Sequence, residues 1–192
     1  IAVTVPVYKT KNIPVHVDVT GDPADGYLVS DITYVPETVD IGGDASIIKD
    51  ITSLDITDVD VSGCTADVET TLDVSKYLPE GVVVTKESAY INVKIAIEKS
   101  VTRNITVTTG DITLRGKQSG YSYEMSMGDR NTITVSGISS AVSKVSAKSL
   151  KLSIDASKLS YGDNTITLSV PDGDKYTVVN TCTVTVKVTE TQ

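Results

Sequence analysis

The sequence contains no phenylalanine and no tryptophan, so tyrosine is its only aromatic residue. It also has a single histidine, His16, and only two cysteines, Cys64 and Cys182. One imidazole and two distant thiols do not supply the ligand set of a structural zinc site, and a disulfide framework requires more cysteines. Each cysteine is therefore interpreted as a small buried or half-buried side chain.

Long hydrophobic runs are also missing. No segment reaches the roughly 18 consecutive apolar residues that a membrane-spanning helix requires, so no span is expected within these residues. The sequence begins with Ile1 rather than methionine, and no signal-like segment follows. We interpret it as a piece of a longer protein.

Valine, isoleucine and threonine are abundant, occupying 71 of the 192 positions. Their β-branched side chains favour strands, and apolar and polar residues alternate at 13–19, 91–97 and 184–188. In segments 45–51 and 139–145 the apolar residues instead fall three or four apart, which predicts a short helical turn crossing between sheets. The predicted fold class is therefore all-β.

Charge is distributed unevenly along the chain. The net charge is −8 overall. Residues 1–98 carry 6 Lys/Arg and 17 Asp/Glu, a net −11, whereas residues 99–192 carry 11 and 8, a net +3. An acidic protein is poorly suited to nucleic acid or to an anionic lipid surface, so neither is expected as a partner.

The two halves repeat one pattern. Gly26-Tyr27 recurs as Gly120-Tyr121, and at the same spacing 38–43 aligns with 132–137. After a deletion of about a dozen residues, 72–76 aligns with 154–158, and the alternating strand 91–97 aligns with 182–188. This order predicts two tandem small β domains, 1–98 and 99–192, each with a short helical turn between strands.

The first nine residues resemble the end of the first domain. Residues 1–9, followed by Asn12-Ile13, match residues 91–99, followed by Asn104-Ile105. Residues 1–9 are therefore predicted to be the last strand of an upstream copy. The parent protein would then be an array of at least three such domains.

One segment resembles a calcium-binding loop. Asp58, Asp60 and Ser62, followed by Gly63 and Glu69, nearly fit the EF-hand pattern. That loop lies between two helices, whereas this segment lies in sequence with a two-residue period. We interpret it as a strand with Val59 and Val61 facing inward and the aspartates in water, and we expect no metal site.

No catalytic arrangement emerges. His16 lies on the polar face of a predicted strand, and no serine has the Gly-x-Ser-x-Gly environment of a hydrolase nucleophile. Gly-rich phosphate loops are absent, and no aromatic-lined sugar cleft of the glycosidase kind is expected without Trp or Phe. We expect no catalytic residues and no cofactor, and the binding residues stay unknown. Gly26 and Gly120 are expected at a turn or close approach, and Tyr121 and Tyr123 are weak candidates to anchor a partner.

The order of motifs resembles the YbbR-like domain. Ile13-Pro14-Val15, Gly26-Tyr27 and 35–39 are followed by Gly43 and the short helical turn, and then by 57–63, an acidic strand ending in Ser-Gly. The turn 78–82 and the final alternating strand complete the likeness. The second half matches at Gly120-Tyr121, at 135–137 and in its last strand, but no acidic strand or Leu-Pro-x-Gly turn is evident there.

The resemblance implies a function. Proteins of this kind generally carry one N-terminal membrane helix followed by several such domains outside the cytoplasm, and some are CdaR-type regulators of the membrane-bound diadenylate cyclase. The resemblance thus implies a non-catalytic, extracytoplasmic fragment of a bacterial membrane-anchored regulator that modulates cyclic di-AMP synthesis by protein contact. The alternative is a bacterial immunoglobulin-like surface adhesin or spacer, whose strands are also rich in valine and threonine.

Overall fold

The β-branched segments form strands throughout the computed structural model, which describes residues 8–85, 89–129 and 131–191. The described residues contain short helical turns but no long helix, so the all-β prediction is confirmed. The chain divides into two compact units, Ile1–Glu98 (unit 1) and Lys99–Gln192 (unit 2). Of the predicted upstream strand, residues 1–7 lie outside the described part, and Lys9 begins the first strand of unit 1.

The elements of unit 1 are, in order, β1 Lys9–Thr20, β2 Tyr27–Val35, β3 Thr38–Gly43, α1 Ala45–Ile48, β4 Leu54–Asp60, β5 Val68–Asp73, a 3₁₀ turn Val74–Tyr77, β6 Val83–Val84 and β7 Tyr90–Thr106. One sheet has the order β4-β1-β3-β6, and β7 lies between β5 and β2 in another. The β1–β4 pair is parallel, whereas β1–β3, β3–β6 and β5–β7 are antiparallel.

The elements of unit 2 are β8 Thr113–Arg115, β9 Tyr121–Ser126, β10 Thr132–Ile138, α2 Ser139–Val142, β11 Ser153–Asp155, a 3₁₀ turn Ala156–Lys158, β12 Gly162–Thr167, β13 Tyr176–Asn180 and β14 Thr183–Glu190. A further 3₁₀ turn, Thr109–Asp111, precedes β8. The last residues of β7 pair with β10, which also pairs with β13. Strand β14 lies between β12 and β9, and β11 pairs with β8 in parallel.

Each unit buries one aliphatic core. In β1 the alternate residues Ile13, Val15 and Val17 are buried, and in β14 the same alternation buries Val184, Val186 and Val188. Removing such a side chain from water contributes about 1.5–3 kcal/mol per residue, so the two-residue period fixes which face of each strand turns inward.

Strand pairing shows that the two units share one topology. Ile13 of β1 lies opposite Val39 of β3, and Ile105 of β7 lies opposite Ile133 of β10. Gly42 of β3 pairs with Val83 of β6, and Ser136 of β10 pairs in the same way with Thr177 of β13. The central strand β7 of unit 1, flanked by β5 and β2, corresponds to β14 flanked by β12 and β9. Within the described residues, the internal repeat therefore extends from the first to the last strand of each unit.

The predicted alignment of 72–76 with 154–158 is wrong. Ile154 pairs with β8 in the way that Val59 pairs with β1, so Asp155-Ala156-Ser157 takes the place of residues 60–62. Leu72 pairs with Ile91 of β7, and its counterpart is Leu168, whose N–H bonds to the Cys182 carbonyl. The deletion of about a dozen residues inferred from the motif does not exist, and only small changes in loop length separate the units.

The helical turns predicted in 45–51 and 139–145 are confirmed as α1 and α2. Their predicted crossing between sheets is wrong for unit 1, because β3 and β4 both flank β1 in the same sheet. The turn thus carries the chain over β1. Strand β3 is antiparallel to β1, and the chain reverses direction again between β3 and β4, so β4 runs parallel to β1.

Candidate binding surfaces

A turn of sequence Asp-x-Ser recurs four times. In each copy one carboxylate oxygen of the aspartate accepts hydrogen bonds from both the backbone N–H and the hydroxyl of the serine two residues later; the pairs are Asp44–Ser46, Asp60–Ser62, Asp73–Ser75 and Asp155–Ser157. Donors to the ionised form lower the pKa of each aspartate below its usual value. These carboxylates therefore serve as caps for local turns.

The residues of the calcium-like segment are each engaged separately. Both carboxylate oxygens of Asp58 accept from the Tyr77 hydroxyl, at 2.7 and 2.8 Å, while Asp60 caps Ser62. Glu69 lies in β5, where its Oε1 is 2.9 Å from the Lys94 ammonium. Burial and Asp58 raise the pKa of Tyr77 to about 12. Within the described residues no group of three or more His, Cys, Asp or Glu side chains is placed to hold a metal ion.

His16 lies on the outer face of β1, with its ring mostly exposed to solvent. Its Nδ1 is 3.2 Å from Oδ1 of Asp55, the residue that faces it on β4. An exposed cross-strand pair of this kind contributes at most a fraction of a kcal/mol. The interpretation of His16 as an exposed strand residue is confirmed.

Two glycines lie close to two of the four Asp-x-Ser turns, those of Asp60 and Asp155. Gly21 follows β1 and Gly116 follows β8, and both adopt positive φ, +73° and +66°. A Cβ on Gly21 would overlap the Ser62 hydroxyl, and one on Gly116 would lie 3.0 Å from Oδ1 of Asp155. Sequence reasoning missed both glycines. Gly21 directly follows β1, which pairs with β4, and Gly116 directly follows β8, which pairs with β11; β4 and β11 are the strands that end at Asp60 and Asp155.

Gly26 and Gly120, the glycines that the sequence singled out, have φ of +81° and +87°. No atom lies within 4 Å of a Cβ built on either residue. They therefore occupy turn positions that require positive φ and are not sites of close approach.

A basic side chain caps the short helix in each unit. The Lys11 ammonium in β1 donates to the carbonyls of Ile48, Lys49 and Ile51, at 3.3, 3.1 and 2.7 Å. In unit 2 one guanidinium nitrogen of Arg103 donates to the carbonyls of Val142 and Ser143, at 3.4 and 2.7 Å. A cation is favourable here because the last carbonyls of a helix have no partner within the helix.

The two cysteines are free; Cys64 is half-buried and Cys182 is buried, as predicted. Burial raises the pKa of the Cys182 thiol, which leaves little of the reactive thiolate at neutral pH.

The tyrosine surface is a cluster on unit 2 made by Tyr121, Tyr123 and Tyr161 around Leu159 and Val188. These residues, with Gln118, line a hollow of about 80 Å³. Tyr121 is 37% and Tyr161 is 70% exposed, whereas Val188 at the floor is buried. Aromatic rings around an apolar floor are typical of the centre of a protein–protein contact.

The sequence pointed to only part of this surface. It singled out Tyr121 and Tyr123, which are two residues apart on β9 and therefore share a face. It missed Tyr161, which comes from the turn before β12 and reaches the cluster only through the pairing of β12 with β14 and of β14 with β9.

Unit 1 keeps a tyrosine, Tyr27, at the position of Tyr121, but it has smaller side chains at two other positions of this surface. The Gly-Tyr repeat aligns Val29 with Tyr123. Strand pairing aligns Asp60 with Asp155, so Cys64, four residues after Asp60, corresponds to Leu159. The tyrosine surface is therefore a property of unit 2 and is not a shared feature of the fold.

No helix in the described part of the chain is long and apolar enough to cross a membrane. Comparison with known proteins gives four findings. The family model described as YbbR-like protein matches residues 13–95, and no curated protein matches. A solution structure of SuR18C from Streptococcus thermophilus is 32% identical, with 48% of this chain and 86% of that chain covered and a TM-score of 0.38.

A second solved structure, a YbbR-like protein from Streptococcus pneumoniae TIGR4, is 15% identical over 99% of this chain and 100% of that chain, with a TM-score of 0.40. The family match spans nearly all of unit 1, from the first buried residue of β1 to the paired middle of β7. This is the region whose motifs carried the resemblance. Residues 13–95 therefore form a YbbR-like domain, and this domain lies in unit 1.

Proposed function

We propose that this chain is a non-catalytic, extracytoplasmic part of a membrane-anchored regulator that modulates a membrane-bound diadenylate cyclase by protein contact. Unit 2 is a second YbbR-like domain in this proposal, since it repeats the strand order of unit 1. Family membership supports the proposal, because the resemblance implies domain arrays outside the cytoplasm and, for some members, control of cyclic di-AMP synthesis.

The tyrosine surface is the observation that carries the proposal. Tyr161 and Tyr121 offer large rigid rings with few rotatable bonds, so binding them costs little conformational entropy. Their apolar floor would be removed from water on contact with a partner. Unit 2 also has a net charge of +3 against −11 for unit 1, which favours a partner surface that is not strongly basic.

The acidic groups of the chain fit a structural role. The aspartates with lowered pKa are ionised at neutral pH and are engaged by serine or threonine donors. A general acid instead needs a raised pKa and access to a substrate. These carboxylates thus contribute to turns and caps.

The immunoglobulin-like alternative predicted a sandwich of antiparallel sheets. The parallel pairs β1–β4 and β8–β11 depart from that architecture in both units. The adhesin hypothesis therefore has no support from the topology.

The test uses the full-length parent protein and the cyclase, produced together in a host that makes neither. The cellular cyclic di-AMP level is expected to change when the parent protein is present. The double variant Tyr121→Ala/Tyr161→Ala is expected to abolish that change. Tyr8→Ala is the matched control, since Tyr8 is also exposed, at 50%, but lies in unit 1.

A parent protein that leaves the cyclic di-AMP level unchanged would contradict the regulatory proposal. If the double variant, at equal abundance, changed the cyclic di-AMP level as much as the unchanged protein does, the tyrosine surface would not be the contact that regulates the cyclase. Labelling of a cysteine introduced at Ser119 by an impermeant maleimide on intact cells tests the location, and labelling only after lysis would contradict an extracytoplasmic position.

A further inference from the structure

A groove of about 510 Å³ lies on unit 1 across β2, β7 and β5. Outward-facing residues of the three strands form most of its lining. The residues between them, Tyr34, Thr70 and Val93, complete it. Those outward residues are Thr33 and Val35 from β2, Asn92 and Lys94 from β7, and Glu69 and Thr71 from β5. We call this region the β7 groove.

Hydrogen bonds fix the polar groups of the β7 groove. The Thr71 hydroxyl donates to Oδ1 of Asn92 at 2.8 Å, so the Asn92 amide nitrogen keeps both of its donors for a ligand. The Thr33 hydroxyl donates to the Lys94 carbonyl at 3.4 Å. Both hydroxyl oxygens retain the capacity to accept. The groove thus offers donors and acceptors side by side, which is what a ligand with many hydroxyl groups requires.

The two charged residues that line the groove, Lys94 and Glu69, form an ion pair, although unit 1 carries a net −11. The Lys94 ammonium is 2.9 Å from Oε1 of Glu69 and 3.9 Å from Oδ2 of Asp67. A charged ligand would have to compete with this ion pair. The local electrostatics therefore favour an uncharged ligand.

An exposed aromatic ring continues the same face. Tyr90 precedes Asn92 by two residues on β7, so both side chains point to the outer face about 6.6–7 Å apart. Tyr90 is 58% exposed. The face of such a ring is apolar and fits the C–H face of a pyranose, while the groups of the groove fit its hydroxyls.

Strand addition by a peptide does not fit this location. Strand β7 is paired on both sides, with β5 and β2, so the groove presents side chains and no unpaired ladder groups along its centre. We propose that the β7 groove and Tyr90 bind an uncharged oligosaccharide that lies across the three strands. This ligand site is independent of the tyrosine surface of unit 2.

Unit 2 provides a matched control. Thr183 of β14 pairs with Thr167 of β12 where Asn92 pairs with Thr71, and Thr185 takes the place of Lys94. The corresponding face therefore has threonine where unit 1 has an amide and an ammonium.

The experiment titrates the ¹⁵N-labelled two-unit protein with cellotetraose, with tetra-N-acetylchitotetraose and with a hyaluronan tetrasaccharide, and follows backbone amide shifts. We expect an uncharged probe to shift signals from 33–35, 69–71 and 90–94. Asn92→Thr, which installs the residue of unit 2, and Tyr90→Ala are each expected to weaken binding about three- to tenfold. Thr183→Ala is expected to leave binding unchanged, and a thermal melt of each variant verifies folding.

Absence of shifts with both uncharged probes would overturn the proposal. Tighter binding of the acidic hyaluronan probe would overturn the uncharged class of ligand. Equal weakening by Thr183→Ala and by Asn92→Thr would place the contact outside the β7 groove and would also overturn it.

Discussion

The first strand of unit 1 runs unbroken from Lys9 to Thr20, whereas its counterpart in unit 2 is interrupted between Thr106 and Thr113. The interruption holds a 3₁₀ turn in which Asp111 accepts from the N–H and the hydroxyl of Thr108, at 2.9 and 2.7 Å. Both halves of the broken strand nevertheless keep their partners, β10 and β11. The fold therefore depends on strand pairing and buried registers and tolerates an insertion in the middle of a strand.

The surfaces of the two units differ more than their cores. Unit 1 has the β7 groove with its compensated ion pair, and unit 2 has the tyrosine surface. The buried hydrophobic positions of the described residues are valine, isoleucine or leucine in both units, with Cys182 and Ala156 as small replacements in unit 2. Side chains that face solvent are free to diverge, because their substitution costs little stability. The two proposals accordingly assign different ligands to the two units.

The largest expected effect comes from a matched pair of core substitutions, Ile13→Ala and Ile105→Ala. Each residue lies opposite an inward residue of the neighbouring strand and is at most 6% exposed. Each change should lower the free energy of unfolding of its own unit by about 2–5 kcal/mol, through lost burial and the cavity left behind.

Urea denaturation followed by amide signals from each unit measures this pair. Ile32→Val, a smaller deletion at a half-buried site, serves as control and should cost less. If Ile105→Ala had no effect on the signals of unit 2, the equivalence of the two first strands would be wrong.

The next effect concerns the glycines beside the Asp-x-Ser turns. Gly21→Ala should destabilise more than Gly116→Ala, because its Cβ would overlap the Ser62 hydroxyl while that of Gly116 has 3.0 Å to Asp155. Both also impose positive φ on alanine, a strain of about 1–2 kcal/mol. Gly26→Ala is the control for strain alone, since nothing lies within 4 Å of its Cβ. Melting temperatures in the order Gly21→Ala, Gly116→Ala, Gly26→Ala, from lowest to highest, are expected, and a reversed order would refute the close approach.

A smaller effect is expected from the cations that cap the short helices. Lys11→Met removes a donor from three carbonyls and Arg103→Met removes one from two. Each should cost about 1 kcal/mol, with the larger loss for Lys11→Met. Lys11→Arg retains the charge and should restore most of the stability in chemical denaturation. Equal stability of Lys11→Met and the unchanged protein would show that solvent satisfies these carbonyls.

The smallest expected difference is in acid sensitivity. Among the aspartates of the described residues whose pKa is shown to be lowered, three lie in unit 1, Asp44, Asp60 and Asp73, and two lie in unit 2, Asp111 and Asp155. A folded pKa below the unfolded value of about 3.9 gives stability that is present above that pH and is lost as the pH falls through the folded pKa. Unit 1 should therefore lose somewhat more stability below about pH 4.

Carboxylate chemical shifts followed from pH 6 to pH 2 measure these pKa values directly. Ser62→Ala removes the hydroxyl donor of Asp60 and should raise its pKa toward the usual value while leaving Asp155 unchanged. An unchanged Asp60 titration in Ser62→Ala would contradict the assigned cause.

Much of the local structure followed from residue types. The β-branched alternation identified β1, the paired part of β7 and β14, and the three-to-four spacing identified the helical turns, because these periods set which side chains share a face. The repeated Asp-x-Ser motif led to the wrong alignment of 72–76 with 154–158. The same aspartate–serine contact forms at four places in the chain, so the motif alone does not show which copies correspond. Only strand pairing distinguished Asp60 from Asp73 as the counterpart of Asp155.

The sequence by itself determined the fold class, the buried faces of the strands and the YbbR-like character of residues 13–95, because these follow from periodicity and from the order of short motifs along the chain. The tertiary structure alone decided which residues become neighbours across strands. Tyr161 joins Tyr121, and Lys94 meets Glu69, through pairings between segments that are distant in sequence. The register of strand pairing brings such groups together. It depends on the burial of whole strand faces against other strands, so it cannot be read from one short segment of the sequence.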